Sequence, residues 1–261
     1  TQAPISIRVN PNVDAKTHPY ISTGLKENKF GVDIGDAISL YQQANNSEHL
    51  SVQGLDCHIG SQLIEVSPFL DALDKVLELV DQLNQQGITI AHLDLGGGVG
   101  IQYDDEKTIN IKAYIEAMID KVGNIEIILE PGRAVVGNAG AFITKVEFLK
   151  QNSEHSFAII DGAMNDLLRP SFYNAYHRVL PVDGNADGIQ ASWDLVGPIC
   201  ETGDFLAKGR SLSLSQGDYL ALMSAGAYGF TMSSNYNSRP RVAEVMVSGS
   251  QHNLVRERET I

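Results

Sequence analysis

The chain has 261 residues, 32 acidic against 19 basic side chains, and a formal net charge of −13. That balance argues against a general nucleic-acid binder, which needs a basic face. It leaves room for an anionic small molecule held by local arginines and backbone amides. No run of about 18 apolar residues is present to cross a membrane, and no segment is of signal-peptide type. The two cysteines, Cys57 and Cys200, make neither a disulfide framework nor a zinc pattern, so a metal-free cytoplasmic protein is expected.

In chain order, residues 5–9 alternate as a strand that Asn10-Pro11 stops. Lys26 to Gly31 reads as a loop and Asp36 to Asn46 as a modest helix. A strand over 52–57 precedes the clearest helix. Ser67 is its expected N-cap and Pro68 lies in its first turn. Phe69, Leu73, Val76, Leu77, Val80 and Leu83 mark its apolar face, and Gly87 ends it. A strand over 90–95 leads to a third helix, capped by Asn110, with Ile111, Ile115, Met118, Ile119 and Val122 on its expected buried stripe. A strand over 125–129 follows. The pattern is α/β: parallel strands, apolar on both faces, covered by helices.

After about residue 142 helical periodicity fades. Strand-like runs take over at 142–149, 157–160, 191–196, 219–223, 242–247 and 253–255, separated by turns such as Asp183-Gly184-Asn185 and Gln216-Gly217-Asp218. The expected domains are 1–142, half of an α/β barrel, and 143–261, mostly β. Four parallel strands cannot close on themselves, so the other half of an eight-stranded barrel is expected upstream of Thr1. The start without methionine and the charged, helix-compatible end, Arg-Glu-Arg-Glu-Thr-Ile, both read as cuts through a longer protein.

Three motifs share one structural beat: His58-Ile59-Gly60-Ser61-Gln62, the glycine run Gly96-Gly97-Gly98 with Gly100, and Glu130-Pro131-Gly132-Arg133. Each follows an apolar strand, about 35 residues from the next, the length of a βα unit. Loops at the same ends of successive parallel strands form the rim of an α/β barrel, where ligands bind. The bare amides of Gly96, Gly97 and Gly98 suit an oxyanion, or only a tight turn. His58 suits a ring-stacking role or a satisfied core position. Glu130, at the end of a strand read as buried, needs a partner, and Arg133 is one candidate. Ser61 and Tyr228 offer hydroxyls. Cys57 alternates with His58 and reads as core packing.

These motifs, together with Gly197-Pro198-Ile199-Cys200-Glu201-Thr202-Gly203-Asp204 and Gly226-Ala227-Tyr228-Gly229, resemble those of the pyridoxal-phosphate-dependent group IV decarboxylases, and among them the diaminopimelate decarboxylases. The five motifs stand in the family's order over essentially the whole chain. The resemblance implies a TIM-barrel and β-domain enzyme of lysine biosynthesis. Its cofactor would be pyridoxal 5′-phosphate, and it would work as a homodimer with shared active sites. It assigns His58 to stacking on the pyridine ring and Glu130 to its nitrogen. Ser61, Gly97, Gly98, Pro131, Gly132, Arg133 and Tyr228 fall around the phosphate. Cys200 becomes the proton donor, contributed across the dimer interface. Glu201, Arg133, Arg169, Tyr173 and Tyr228 become substrate contacts.

Arg169 suits a distal carboxylate, which a guanidinium grips in a bidentate fork. Together with Glu201 it suits a distal centre bearing both charges, hence diaminopimelate rather than ornithine. One departure is plain. The family's cofactor lysine sits on a first barrel strand, and none of the ten lysines here has that setting. A related carboxynorspermidine or arginine decarboxylase, or a non-catalytic regulatory homologue, are the alternative readings.

Overall fold

The computed structural model describes residues 1–13, 29–183 and 188–260. The chain divides into two compact units. The first comprises 1–102 and 106–135, the second 103–105 and 136–261.

The first unit is built on β1 (Ala3–Asn10), β2 (Val32–Asp33), α1 (Ile34–Asn45), β3 (Leu50–Asp56), α2 (Ser67–Gln85), β4 (His92–Asp94), α3 (Ile111–Val122), β5 (Glu126–Ile128) and the short α4 (Arg133–Val136). The sheet order is β2-β1-β3-β4-β5 and every pair is parallel. The helices supply one side of its core. Buried Leu73, Val76, Val80 and Leu83 of α2 and Tyr114 and Met118 of α3 pack with Leu55 and Leu93 of the sheet. Tyr41 of α1 is fully buried and donates its hydroxyl to the Gly54 carbonyl at 2.8 Å.

Three local expectations are corrected. Ser67 is the first residue of α2, not its cap. Val66 already has helical backbone angles and no side chain caps the helix, while the Val66 carbonyl accepts from Phe69 and Leu70. Ile111 and Ile119 are more than half exposed. Ile119 lies one residue past Met118, about 100° around the helix, and Ile111 precedes the turn that packs. Glu130 is exposed rather than at the end of a buried strand. Its strand, β5, is the sheet edge among the described residues, and Glu126 and Ile128 face outward with it. The Asn110 cap does form, accepting from the Ala113 amide at 3.1 Å. Of the loop expected at Lys26 to Gly31, residues 26–28 lie outside the described residues and 29–31 are in no helix or strand; Gly184-Asn185 also lies outside them.

The second unit carries a six-stranded sheet ordered β10-β9-β7-β6-β11-β8, made of β6 (Phe142–Gln151), β7 (Ser156–Ile160), β8 (Val179–Pro181), β9 (Ile189–Val196), β10 (Phe205–Leu214) and β11 (Tyr219–Leu222). All pairings are antiparallel except β7 with β9. Trp193, Leu195, Leu206, Leu214, Leu220 and Val146 form its core. A five-residue helix α5 (Arg169–Tyr173) and a hairpin β12 (Glu244–Ser248) and β13 (Gln251–Arg256) complete it.

The sequence pattern missed β10, because Lys208-Gly209-Arg210 interrupts its alternation. In the fold this is a bulge, with Gly209 at φ +65° donating to Asp194 at 2.7 Å. The charged end is not helical. β13 ends at Arg256, and Glu259 turns back to accept from Arg241 Nε at 2.7 Å and Asn235 at 2.6 Å. Those bonds to its charged form hold the Glu259 carboxyl down at about 2.

Candidate active site

In the first unit the backbone ladder continues past the strand ends and stitches the three loops together. Cys57 donates to Asp94 at 2.8 Å, Leu95 to Ile128 at 3.0 Å and Glu130 to Gly96 at 2.8 Å. Further out, Leu63 donates to Gly98 at 2.9 Å and Gly100 to Leu63 at 2.8 Å. The Gln62 side chain brackets the Ile101 peptide, donating to its carbonyl at 2.6 Å and accepting from its amide at 3.2 Å.

This closeness explains the glycines. A Cβ on Gly97 would run into the Glu130 carbonyl, and one on Gly98, which sits at φ +93°, would run into the Gly60 carbonyl. The Gly97 amide donates to His58 Nδ1 at 3.2 Å. Burial, with help from Arg8, holds the His58 pKa below its ordinary value. Arg133 is buried at the start of α4 and donates to Ser61 Oγ at 3.1 Å. Thus His58, Ser61, Gly97, Gly98, Glu130 and Arg133 converge on one end of the parallel sheet. Pro131 and Gly132 connect Glu130 to Arg133.

Beside them runs a charged row that sequence reasoning passed over. Arg8, Asp56 and Asp94 occupy one register position across β1, β3 and β4. Arg8 Nε lies 3.9 Å from Asp56, and Asp94 accepts from the Gly96 amide at 2.9 Å. Burial pushes the Asp56 carboxyl up to about 6; Arg8 opposes this, and Asp94 and Glu130 add to it. Cys57 points the other way and lines a small apolar cavity with Phe69, Leu73, Tyr114 and Met118. Burial pushes its thiol up to about 12.

The second unit holds two further clusters. Cys200 and Glu201 are exposed in a tight loop. Buried Asp204 shapes that loop by accepting from the Ile199 amide at 2.9 Å and the Met164 amide at 2.7 Å. A side chain on Gly197 would collide with that carboxylate. Tyr236 donates its hydroxyl to Glu201. The other cluster is buried. Arg169, at the start of α5, donates to His177 Nε2 at 2.9 Å and lies 4.6 Å over the Tyr103 ring. Tyr173, at the other end of α5, is half-buried, and its ring lies 4.7 Å from that of Phe172. Tyr228 is exposed at φ +58° in a loop whose Gly226 amide donates to Gly137 at 3.1 Å.

Residues 1–137 match the family model described as pyridoxal-dependent decarboxylase, pyridoxal binding domain. The chain belongs to the pyridoxal-dependent decarboxylases. Among relatives of this chain, proteins named diaminopimelate decarboxylase from Haemophilus influenzae and Pseudomonas aeruginosa are 54% and 56% identical over 99% and 100% of it. The chain spans 63% of the length of each. The solved diaminopimelate decarboxylase from Helicobacter pylori, complexed with L-lysine, superposes with a TM-score of 0.94 at 41% identity, over 99% of this chain and 65% of that one.

Motif reading of the chain singled out the loop residues but not their supports. Asp204 closes the very motif that carries Cys200, yet its role is visible only once the loop is folded. Asp94 stands two residues before the glycine run, where a carboxylate can turn back on an amide. His177 and Tyr103 are 8 and 66 residues from Arg169 in sequence, and no local pattern links them. No lysine lies on β1, β3, β4 or β5, in keeping with the sequence reading. Among the described residues no cluster could hold a metal ion and no helix is long and apolar enough to cross a membrane.

Proposed function

We propose that the protein decarboxylates meso-2,6-diaminopimelate to L-lysine and carbon dioxide with pyridoxal 5′-phosphate, as a homodimer with shared sites in the cytoplasm. The observation that carries this reading is the identity of 54–56% over essentially the whole chain to relatives bearing that name. The donor set fits the cofactor. The Gly98 amide, the Ser61 hydroxyl and the buried Arg133 guanidinium are what a phosphate monoester needs. A neutral His58 beside them offers a flat face, and the exposed Glu130 carboxylate can meet a protonated ring nitrogen. When bound, the cofactor supplies an electron sink for the pair left on carbon as carbon dioxide departs.

The chain's own residues then orient the substrate and deliver a proton. Arg169, with Tyr173 and Tyr228, takes the distal carboxylate, and Glu201 takes the distal ammonium. Cys200 gives its thiol proton to the carbon that has lost carbon dioxide, leaving a thiolate that water reprotonates. The test is turnover by the full-length enzyme. Carbon dioxide and L-lysine should form from meso-diaminopimelate, with little or no product from ornithine, arginine or carboxynorspermidine. Preference for any of those three would reassign the substrate, and no turnover of any would favour a regulatory role.

A further inference from the structure

The buried cluster around Arg169 has a defined internal logic. A guanidinium only donates, so His177 Nε2, 2.9 Å away, is the acceptor. A backbone carbonyl only accepts, so Nδ1, 2.8 Å from the Met223 oxygen, is the donor. His177 is therefore neutral, with its proton on Nδ1. The ring is fully buried, on the segment that enters β8, and Met223 directly follows β11. Its plane meets the Tyr103 ring edge-on at 5.5 Å, while the face of Tyr103 lies 4.6 Å under the Arg169 guanidinium. One nitrogen of Arg169 is thereby tied to a residue that is itself tied to the sheet, and its plane is set by an aromatic face.

We propose that His177 is a positioning residue for substrate recognition: in this one tautomer it aims the Arg169 guanidinium at the distal carboxylate of the amino-acid substrate, with Tyr103 fixing the plane. This rests on the reading of Arg169 as the carboxylate clamp. A flexible arginine must be ordered at each binding event, whereas one already held by an acceptor and a ring face is not. The geometry serves affinity for the carboxylate group, not proton transfer, so its loss should appear in binding terms.

The experiment uses the cofactor-loaded full-length enzyme with His177→Asn, His177→Gln and Arg169→Ala. An asparagine amide can keep the bond to the Met223 carbonyl but cannot reach Arg169. A glutamine oxygen extends to where Nε2 stood. The measurements are kcat and KM for diaminopimelate and the dissociation constant for L-lysine, which keeps the distal carboxylate. His177→Asn should raise KM and the lysine constant about tenfold, the effect of one hydrogen bond to a charged group, with kcat nearly unchanged. His177→Gln should recover most of that loss. Wild-type affinity in His177→Asn, or a glutamine variant as weak as the asparagine one, overturns the proposal. If Arg169→Ala weakens lysine binding while His177→Asn does not, only the proposal fails and the clamp reading survives. If Arg169→Ala itself leaves lysine binding intact, the clamp reading fails and takes the proposal with it.

Discussion

The Gly97 amide donates to Nδ1 of His58 at 3.2 Å, tying the glycine loop after β4 to the histidine loop after β3. The bond makes Nδ1 the acceptor, so the neutral ring carries its proton on Nε2. Burial, which lowers the His58 pKa, keeps it neutral near pH 7. The first prediction concerns the glycine. In Gly97→Ala the new methyl must displace the Glu130 carbonyl, because nothing flexible stands in its way. Displacing packed backbone typically costs about 1–3 kcal/mol. We expect a lower urea midpoint and loss of retained cofactor absorbance after gel filtration. A variant with wild-type midpoint and full cofactor content would show that the loops have slack the geometry does not reveal.

A second prediction follows from Asp56. Its ordinary carboxyl value is 3.8, and in the fold it ionises near about 6. Between those two pH values the folded chain holds the proton and the unfolded chain does not. Stability therefore falls as pH rises from about 4 to about 6 and stays lower above that. At roughly 1.4 kcal/mol per unit the effect amounts to at most about 3 kcal/mol. Asp56→Asn should stabilise the protein at pH 7 and leave it unchanged at about pH 3.5. Urea unfolding across that range reads both, and a parallel pH profile for wild type and variant would rule Asp56 out as the source.

The parallel half of the fold was legible because two periods coincide: continuous apolar strands, and helices whose faces repeat at helical spacing. Asn110 and Gly123 announce the ends of α3 by residue type alone, and the structure uses both. Glu130 was misplaced for a physical reason. An apolar strand sequence says that a strand belongs in a sheet but not whether neighbours flank it on both sides, and β5 lies at the edge among the described residues. The β unit was harder. β10 hides behind a charged bulge, and α5 has only five residues, too few for a period to emerge. Within the site, loop residues that touch ligands carry local motifs. Their supports depend on partners far away in the chain, Tyr103 under Arg169 and the Met164 amide that holds Asp204, 40 residues away, which spacing cannot reveal.

Tyr236 and Glu201 supply the third prediction. The Tyr236 hydroxyl donates to the Glu201 carboxylate, and that bond raises the tyrosine pKa. Both residues are exposed, so the bond adds little to stability and serves instead to fix one carboxylate rotamer. Tyr236→Phe should leave the melting temperature within about a degree. It should raise KM for diaminopimelate severalfold. An unchanged KM would remove Glu201 orientation from the recognition scheme.

The two thiols offer the sharpest contrast, because one chemistry sits in two environments. Cys57 is buried against α2 and α3 with its thiol pushed up to about 12, so it stays protonated and has no route to a reacting carbon. Cys200 is exposed in a loop that Asp204 pins at the Ile199 amide and ties to the Met164 amide of another segment. Cys57→Ala should therefore lower stability by about 1 kcal/mol, as small core truncations do, with turnover intact. Cys200→Ala should leave the urea midpoint in place and slow L-lysine formation by about 10²–10⁴-fold, the usual loss on removing one general acid. Asp204→Asn should fall between them. An amide can replace only one of the two acceptor oxygens, so the loop loosens and turnover drops without the thiol being touched. Near-normal turnover in Cys200→Ala would falsify the proton-donor assignment, and the Asp204 variant guards against a misleading loss. If Asp204→Asn alone abolished turnover while Cys200→Ala did not, the loop would matter for its shape and another group would carry the proton.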